Sequence, residues 1–257
     1  MNNRLSVTIL GSGTCLPSLR RSACSVLMET GDVKAVFDCG PGTMGRLLQA
    51  GVTVFEVTHL FLSHFHPDHT GEMPSLVFAN KYAPAPPRTS PLVLAGGRGL
   101  CDFYNGLKSV YGNWIDLGPD LMILKEFSTQ GRDDYQSGKF KLVTRPVAHR
   151  PESIAFRVSV DNTTVVYSGD TDVSPGLVEL SRGADLLICE SAWPDGLKKE
   201  GHLTPSLAGA IAREAGVQRL ILTHLYPECD KVDIRRQCAA AYGGEIIVAR
   251  DLMRIEW

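Results

Sequence analysis

The sequence predicts an α/β protein in which two mixed β-sheets pack face to face, with helices on the outer faces. Three observations lead there. Each half of the chain opens with strand-like hairpins and then passes to alternating strands and helices. Hydrophobic residues make up 44% of 257 residues and charged residues 21%, enough apolar matter for a sizeable core. The length exceeds the usual ~100–200 residues of one domain, but sandwiches and barrels of this size occur, so residues 1–257 read as a single domain.

Residues 4–11 alternate, with Leu5, Val7 and Ile9 on one face, and predict a strand. Gly11-Ser12-Gly13-Thr14 ends it. Strands over 24–30 and 33–38 follow, joined at Gly31-Asp32. Residues 41–50 have helical spacing in Met44, Leu47 and Leu48, and Gly51 stops them. Residues 57–63 predict a strand and 70–80 a helix. The stretch 82–91 is rich in proline and reads as a surface excursion. In the second half, strands are predicted over 141–146, 154–160 and 163–168, the last two joined at Asp161-Asn162. Helices over 178–182, 206–215 and 234–242 then alternate with strands over 185–190, 219–223 and 245–249. There is no short-period repeat and no low-complexity tract.

Composition excludes several classes. No apolar run approaches the ~20 residues that span a bilayer. The first residues lack a signal-peptide core, which predicts a chain that is not secreted by that route. Seven cysteines without a Cys-x-x-Cys pair argue against a disulfide scaffold or a zinc knuckle and fit a reducing cytoplasm. Cys24 and Cys189 read as small buried hydrophobes. The formal charge of −2 does not suit a protein that grips long nucleic acid by its phosphates.

The chemistry concentrates in His64-Phe65-His66-Pro67-Asp68-His69, after a predicted strand and before a predicted helix. A loop there aims several side chains at one point from the rigid end of a sheet. Imidazole and carboxylate together suit Zn²⁺, with Fe or Mn²⁺ possible on the same ligands. His149, Asp170 and His224 each follow a predicted strand. Together they complete two sets: His64, His66 and His149 for one divalent ion, and Asp68, His69 and His224 for another, with Asp170 bridging. His59 lies inside a strand without a matching partner and reads as structural. Gly40-Pro41-Gly42 reads as a turn, since a phosphate loop would end in Lys-Ser/Thr.

This pattern of His-x-His-x-Asp-His, a lone His, Ser-Gly-Asp-Thr and Thr-His after a strand resembles the metallo-β-lactamase superfamily. Within it the chain is most similar to the ribonuclease Z-like, short-form phosphodiesterase branch. Leu10-Gly11-Ser12-Gly13-Thr14 with Pro17 and Arg21 resembles the first loop of that branch. His149-x-x-x-Ser153-x-x-Phe156-Arg157 resembles its third motif, and Glu190-Ser191 with Gly201-His202-Leu203-Thr204 its Glu and His-x-Thr pair. The resemblance implies an αββα four-layer sandwich and a dinuclear metal-dependent hydrolase. It also implies that His202 protonates the leaving oxygen or holds the phosphate, that Glu190 orients His202, and that Arg21 and Thr204 contact substrate. Two ions would share a hydroxide, acidified to a pKa of about 7, that attacks phosphorus beside Asp68. A homodimer is implied as well.

Two features depart from ribonuclease Z. Only 21 positions separate His149 from Asp170, which leaves no room for a tRNA-gripping arm. Pro67 stands where a Gly is frequent. The expected substrate is therefore a small phosphodiester or nucleotide, such as a cyclic nucleotide, or a short RNA end. The rivals are a tRNA 3′ endonuclease; an ester, thioester or lactone hydrolase on the same core; and a diiron redox or gas-binding domain. The last would put a carboxylate where His66 stands. A secreted β-lactamase would carry a signal peptide and often Cys in place of Asp170. Trp193 with Lys198-Lys199 reads as a solvated loop at the rim.

Overall fold

The computed structural model describes residues 4–82 and 88–257. Its first sheet contains β1 (Ser6–Gly11), β2 (Ser25–Thr30), β3 (Val33–Phe37), β4 (His59–Leu62), β5 (Leu92–Gly97) and β6 (Met122–Phe127) in spatial sequence. The second contains β7 (Asp133–Ser137), β8 (Phe140–Pro146), β9 (Ile154–Val160), β10 (Thr163–Tyr167), β11 (Leu186–Glu190), β12 (Arg219–Thr223) and β13 (Glu245–Val248). Strand β14 (Met253–Glu256) leaves the second half and returns to the first sheet, where Ile255 lies opposite Val7 on β1.

Both halves follow one plan. Hairpins make β1 to β3 antiparallel, and β3 to β6 then run parallel. Likewise β7 to β10 are antiparallel and β10 to β13 parallel. Parallel neighbours need crossovers, and helices supply them. These are α1 (Thr43–Gln49), α2 (Pro67–Thr70), α3 (Met73–Lys81) and α4 (Leu100–Tyr111) on one outer face. On the other lie α5 (Pro175–Ser181), α6 (Pro205–Ala215) and α7 (Ile234–Ala239).

Strand periodicity sets the layers. Val26 and Met28 of β2 point between the sheets with Phe37, Phe61, Phe156 and Tyr167, while Leu27 points outward toward Leu47 of α1 and Leu76 of α3. Val166 and Leu187 face outward onto Leu177 and Ile211. Strands covered on both faces read as continuous apolar runs, which is why β11 and β12 were evident in the sequence.

Several boundaries differ from expectation. The helix expected over 70–80 is two helices, because Pro74 has no N–H to give and α3 starts beside it. Gly42, at φ +101°, delays α1 to Thr43. Pro175 starts α5 earlier than expected, and α7 stops at Ala239. The sequence pattern predicts no element between 92 and 140, where β5, α4, β6 and β7 lie, nor β14. Of the excursion expected over 82–91, residues 83–87 lie outside the described residues. Arg88 beyond them donates to the carbonyls of Val57 (2.7 Å) and Phe55 (3.1 Å). All seven cysteines are free, and Cys24 and Cys189 are buried. Among the described residues, no helix is long and apolar enough to cross a membrane.

Candidate metal centre

The site forms where strand ends from both sheets meet. Strand β4 delivers His64, and the turn into α2 delivers His66, Asp68 and His69. Pro67 opens α2 and His66 is its N-cap residue, so His66, Asp68 and His69 spread over one short turn. The loop after β8 carries His149. The turn after β10 carries Asp170 and contains Gly169 at φ +56°. A Cβ on Gly169 would fall 2.5 Å from that of Ser63, so the turns after β4 and β10 touch only because this residue is glycine. His224 directly follows β12, and its φ of +56° is rare for a residue with a side chain. Strain of this kind persists where surrounding structure imposes it, and functional sites are its usual place.

These turns bring together all seven metal-ligating candidates. His64, His66, His149 and Asp170 offer atoms within 4.8 Å of one another, and so do Asp68, His69 and His224. Asp170 stands between the sets. Its Oδ1 is 3.2 Å from His69 Nε2 and 3.3 Å from His224 Nε2; its Oδ2 is 3.8 Å from His64 Nε2 and 4.0 Å from His149 Nε2. Asp68 Oδ2 lies 3.5 Å from His224 Nε2. His64, His69, Asp170 and His224 are buried, while His66, Asp68, His149 and His202 are part-exposed and form the accessible side.

The donor set suits divalent cations. His66 Nδ1 and His149 Nε2 converge to 3.2 Å, and His69 Nε2 and His224 Nε2 to 3.3 Å. His64 Nε2 is buried without a hydrogen-bond partner among the described residues, which costs about 1–3 kcal/mol unless something positive meets it. Burial and the neighbouring histidines hold His64 well below the usual imidazole range, leaving it neutral. Burial pushes His69 down too, but the charges of Asp170 and Asp38 carry it well above that range. Buried carboxylates here call for a cation.

The other ring nitrogens of His69, His149 and His64 meet acceptors, the arrangement that orients ligating imidazoles, whereas His224 Nδ1 is buried without a partner among the described residues. His69 Nδ1 donates to Asp38 Oδ2 at 2.7 Å, and His149 Nδ1 to the Gly201 carbonyl at 2.9 Å. His64 Nδ1 lies 3.1 Å from Ser63 Oγ, which itself donates to Asp38 Oδ2 at 2.8 Å. Asp38 is a site residue that the sequence reading passed over, although it too ends a strand. Tyr167 Oη donates to its Oδ2 at 2.6 Å.

His202 stands beside the two sets with Nδ1 3.0 Å from Glu190 Oε1 and 3.9 Å from Asp170 Oδ2. Glu190 is buried and fully used: Oε1 also accepts from Thr171 N (2.7 Å), and Oε2 from Leu203 N (3.1 Å) and Ala192 N (3.3 Å). Burial works against a charge on His202, but the bond and charge of Glu190 outweigh it and carry its pKa up to about 9.

The remaining candidates divide. Thr204 is the buried N-cap of α6, and its side chain makes no capping bond. Arg21 lines the same cleft of about 360 Å³ as Asp68. Its two terminal guanidinium nitrogens, however, are taken by Ser12 Oγ (2.8 Å), the Ala249 carbonyl (2.7 Å) and Asp230 (3.0 Å), contacts that shape the first loop, while Nε is buried without a partner among the described residues. The rim is the exposed loop expected: residues 196–200 are exposed, Lys198 pairs with Asp172, Lys199 sits over Trp193, and half-buried Trp193 stacks on Tyr226 at 4.2 Å. His59 is buried in β4, between Thr58 Oγ1 (2.7 Å) and Tyr135 Oη (3.0 Å), away from the cluster.

Comparison with known proteins agrees with this geometry. A family model described as a beta-lactamase superfamily domain matches residues 34–225. An uncharacterised protein of Mycobacterium tuberculosis is 30% identical over 244 residues, covering 93% of this chain and 88% of that protein. The solved structure of human tRNase Z, short form, superposes with a TM-score of 0.78 at 27% identity, covering 97% of this chain and 98% of that one. The metallo-beta-lactamase fold protein YhfI of Bacillus subtilis covers 100% of both chains with a TM-score of 0.84 at 24% identity. The αββα sandwich, the strand-end cluster and the family match together place this chain in the metallo-β-lactamase superfamily.

Proposed function

We propose that this chain is a dinuclear metal-dependent hydrolase that cleaves phosphodiesters. The observation that carries the reading is Asp170, whose two oxygens face different sets of histidines. His64, His66 and His149 would hold one divalent ion, and Asp68, His69 and His224 the other, with zinc the natural choice for imidazole and carboxylate and Mn²⁺ or Fe possible. Two such ions supply acidity for a water nucleophile near neutral pH and positive charge against phosphate oxygens.

The chain's own groups do the rest. Glu190 accepts a hydrogen bond from His202 Nδ1 and so leaves Nε2–H to meet the leaving oxygen. Asp68, on the accessible side, can orient the attacking water. Thr204 lies at the start of α6, where an anion is favoured by the helix N-terminus. Between His149 and Asp170 the chain contains only β9 and β10 with a tight turn, so no gripping arm projects there. That favours a cyclic nucleotide, another small phosphodiester or a short RNA end over precursor tRNA. Seven free cysteines suit a reducing cytoplasm, and a homodimer is the expected assembly.

The test is a hydrolysis panel with metal-loaded protein: bis-p-nitrophenyl phosphate, cyclic nucleotides, precursor tRNA, a lactone and a thioester. Turnover of the first two supports the reading. Turnover confined to the lactone or thioester overturns it, and tRNA cleavage alone replaces it with 3′ processing.

A further inference from the structure

The carboxylate of Asp172 lies two residues past Asp170 and touches neither histidine set directly. Its Oδ2 accepts from Gly201 N at 3.1 Å and from Lys198 Nζ at 2.6 Å, and its Oδ1 from Val173 N at 2.7 Å. Its own amide donates to the Ala148 carbonyl at 2.8 Å, beside His149. The same Lys198 ammonium donates to the Lys199 carbonyl at 2.9 Å, and His202 N bonds that carbonyl at 3.3 Å. Residues 198–202 are therefore folded around one ion pair.

Gly201 is the point of the turn. Its carbonyl accepts the Nδ1 proton of His149 at 2.9 Å, which leaves His149 Nε2 free to face the site. Its φ is +80°, and a Cβ there would lie 3.1 Å from His149 Nδ1. A backbone carbonyl orients an imidazole only as firmly as its own residue is held, and a charge-assisted bond to the amide holds it firmly. His202 is the next residue.

We propose that Asp172 is a positioning residue: by fixing the Gly201 amide it sets the carbonyl that orients His149. This rests on the reading of His149 as a metal ligand. Removing the carboxylate frees the 198–202 turn, and the ring of His149 loses its fixed direction while His69, with its own acceptor on Asp38, keeps its place.

The experiment is metal titration against a competing chelator, with thermal unfolding alongside, for wild type, Asp172→Ala and Asp172→Asn. Asp172→Ala is expected to weaken one ion by about 10–100-fold, the scale found when an outer partner of a ligand is lost, and to spare the other. Asp172→Asn, which keeps an oxygen for the Gly201 amide, recovers most of that affinity. Unchanged affinities in Asp172→Ala, equal losses at both ions, or an Asn variant no better than Ala each overturn the proposal. If Asp172→Ala does not fold, Gly201→Ala moves the same carbonyl, and the same selective loss at one ion is required of it. A wild type that binds fewer than two ions overturns the metal reading itself, and the wild-type arm separates that failure from this one.

Discussion

Asp38 and His69 meet in the interior with both side chains fully buried, Oδ2 accepting the Nδ1 proton at 2.7 Å. Asp38 adopts a φ of +61°, and its carboxylate also gathers Ser63 N (2.7 Å), Ser63 Oγ (2.8 Å) and Tyr167 Oη (2.6 Å). One carboxylate thus links the turn after β3, the loop after β4 and the end of β10. Asp38→Asn puts an amide N–H where donors already crowd. The expected result is about 10–100-fold weaker binding of the ion at Asp68, His69 and His224, with a lower Tm. Metal titration and thermal unfolding check it; an unchanged affinity removes Asp38 from the site.

Asp170→Ala should abolish turnover and weaken both ions. The loss removes a shared acceptor and leaves the two positive charges less shielded from each other. Metal content after dialysis, read with turnover, decides the point. Two retained ions and near-normal rates would sink the bridging assignment.

For His202→Ala the expected loss in kcat is about 10²–10⁴-fold with metal content unchanged, the usual scale for a positioned proton donor. The loss should be small for p-nitrophenolate, which leaves without protonation, and large for an alkoxide. Equal losses on the two leaving groups would leave His202 as a phosphate-binding group.

His59 makes a prediction about acid stability. Burial lowers its pKa from 6.5 to about 4, so the folded protein keeps it neutral where the unfolded chain takes a proton. A depressed pKa on a base means that stability is full above pH 6.5 and declines as the pH falls toward 4. Urea unfolding of metal-free protein from pH 7 to 4.5 should show a shallower decline in His59→Gln than in wild type. Parallel pH profiles would assign the acid sensitivity elsewhere.

Much of the site was legible because ligands sit next to strong local signals. His64 and His224 follow apolar runs that can only be buried strands, and His66, Asp68 and His69 fall within one short string. Asp38 was harder to see. It follows a strand in the same way, but a single carboxylate before Cys39-Gly40 has no histidine beside it to mark it. The segment β5 to β7 was obscured for other reasons. Strand β5 ends in Gly96-Gly97, β6 carries Lys125 and Glu126, and β7 is an edge strand with Asp133 and Asp134, the charged composition that keeps an exposed edge from pairing with other chains.

Local pattern therefore determined most strands of each half, though not β5, β6, β7 or β14, and which residues carry metal-seeking chemistry at their ends. It did so because burial on two faces and ligand spacing within one loop are properties of adjacent residues. Only tertiary structure decided that β14 crosses to pair with β1, that Asp170 places one oxygen toward each histidine set, and that the Gly201 carbonyl reaches His149. Each of these depends on groups far apart in the chain. Their meeting is set by how two sheets stack and how closely glycine lets two backbones approach, and no window of sequence contains that distance.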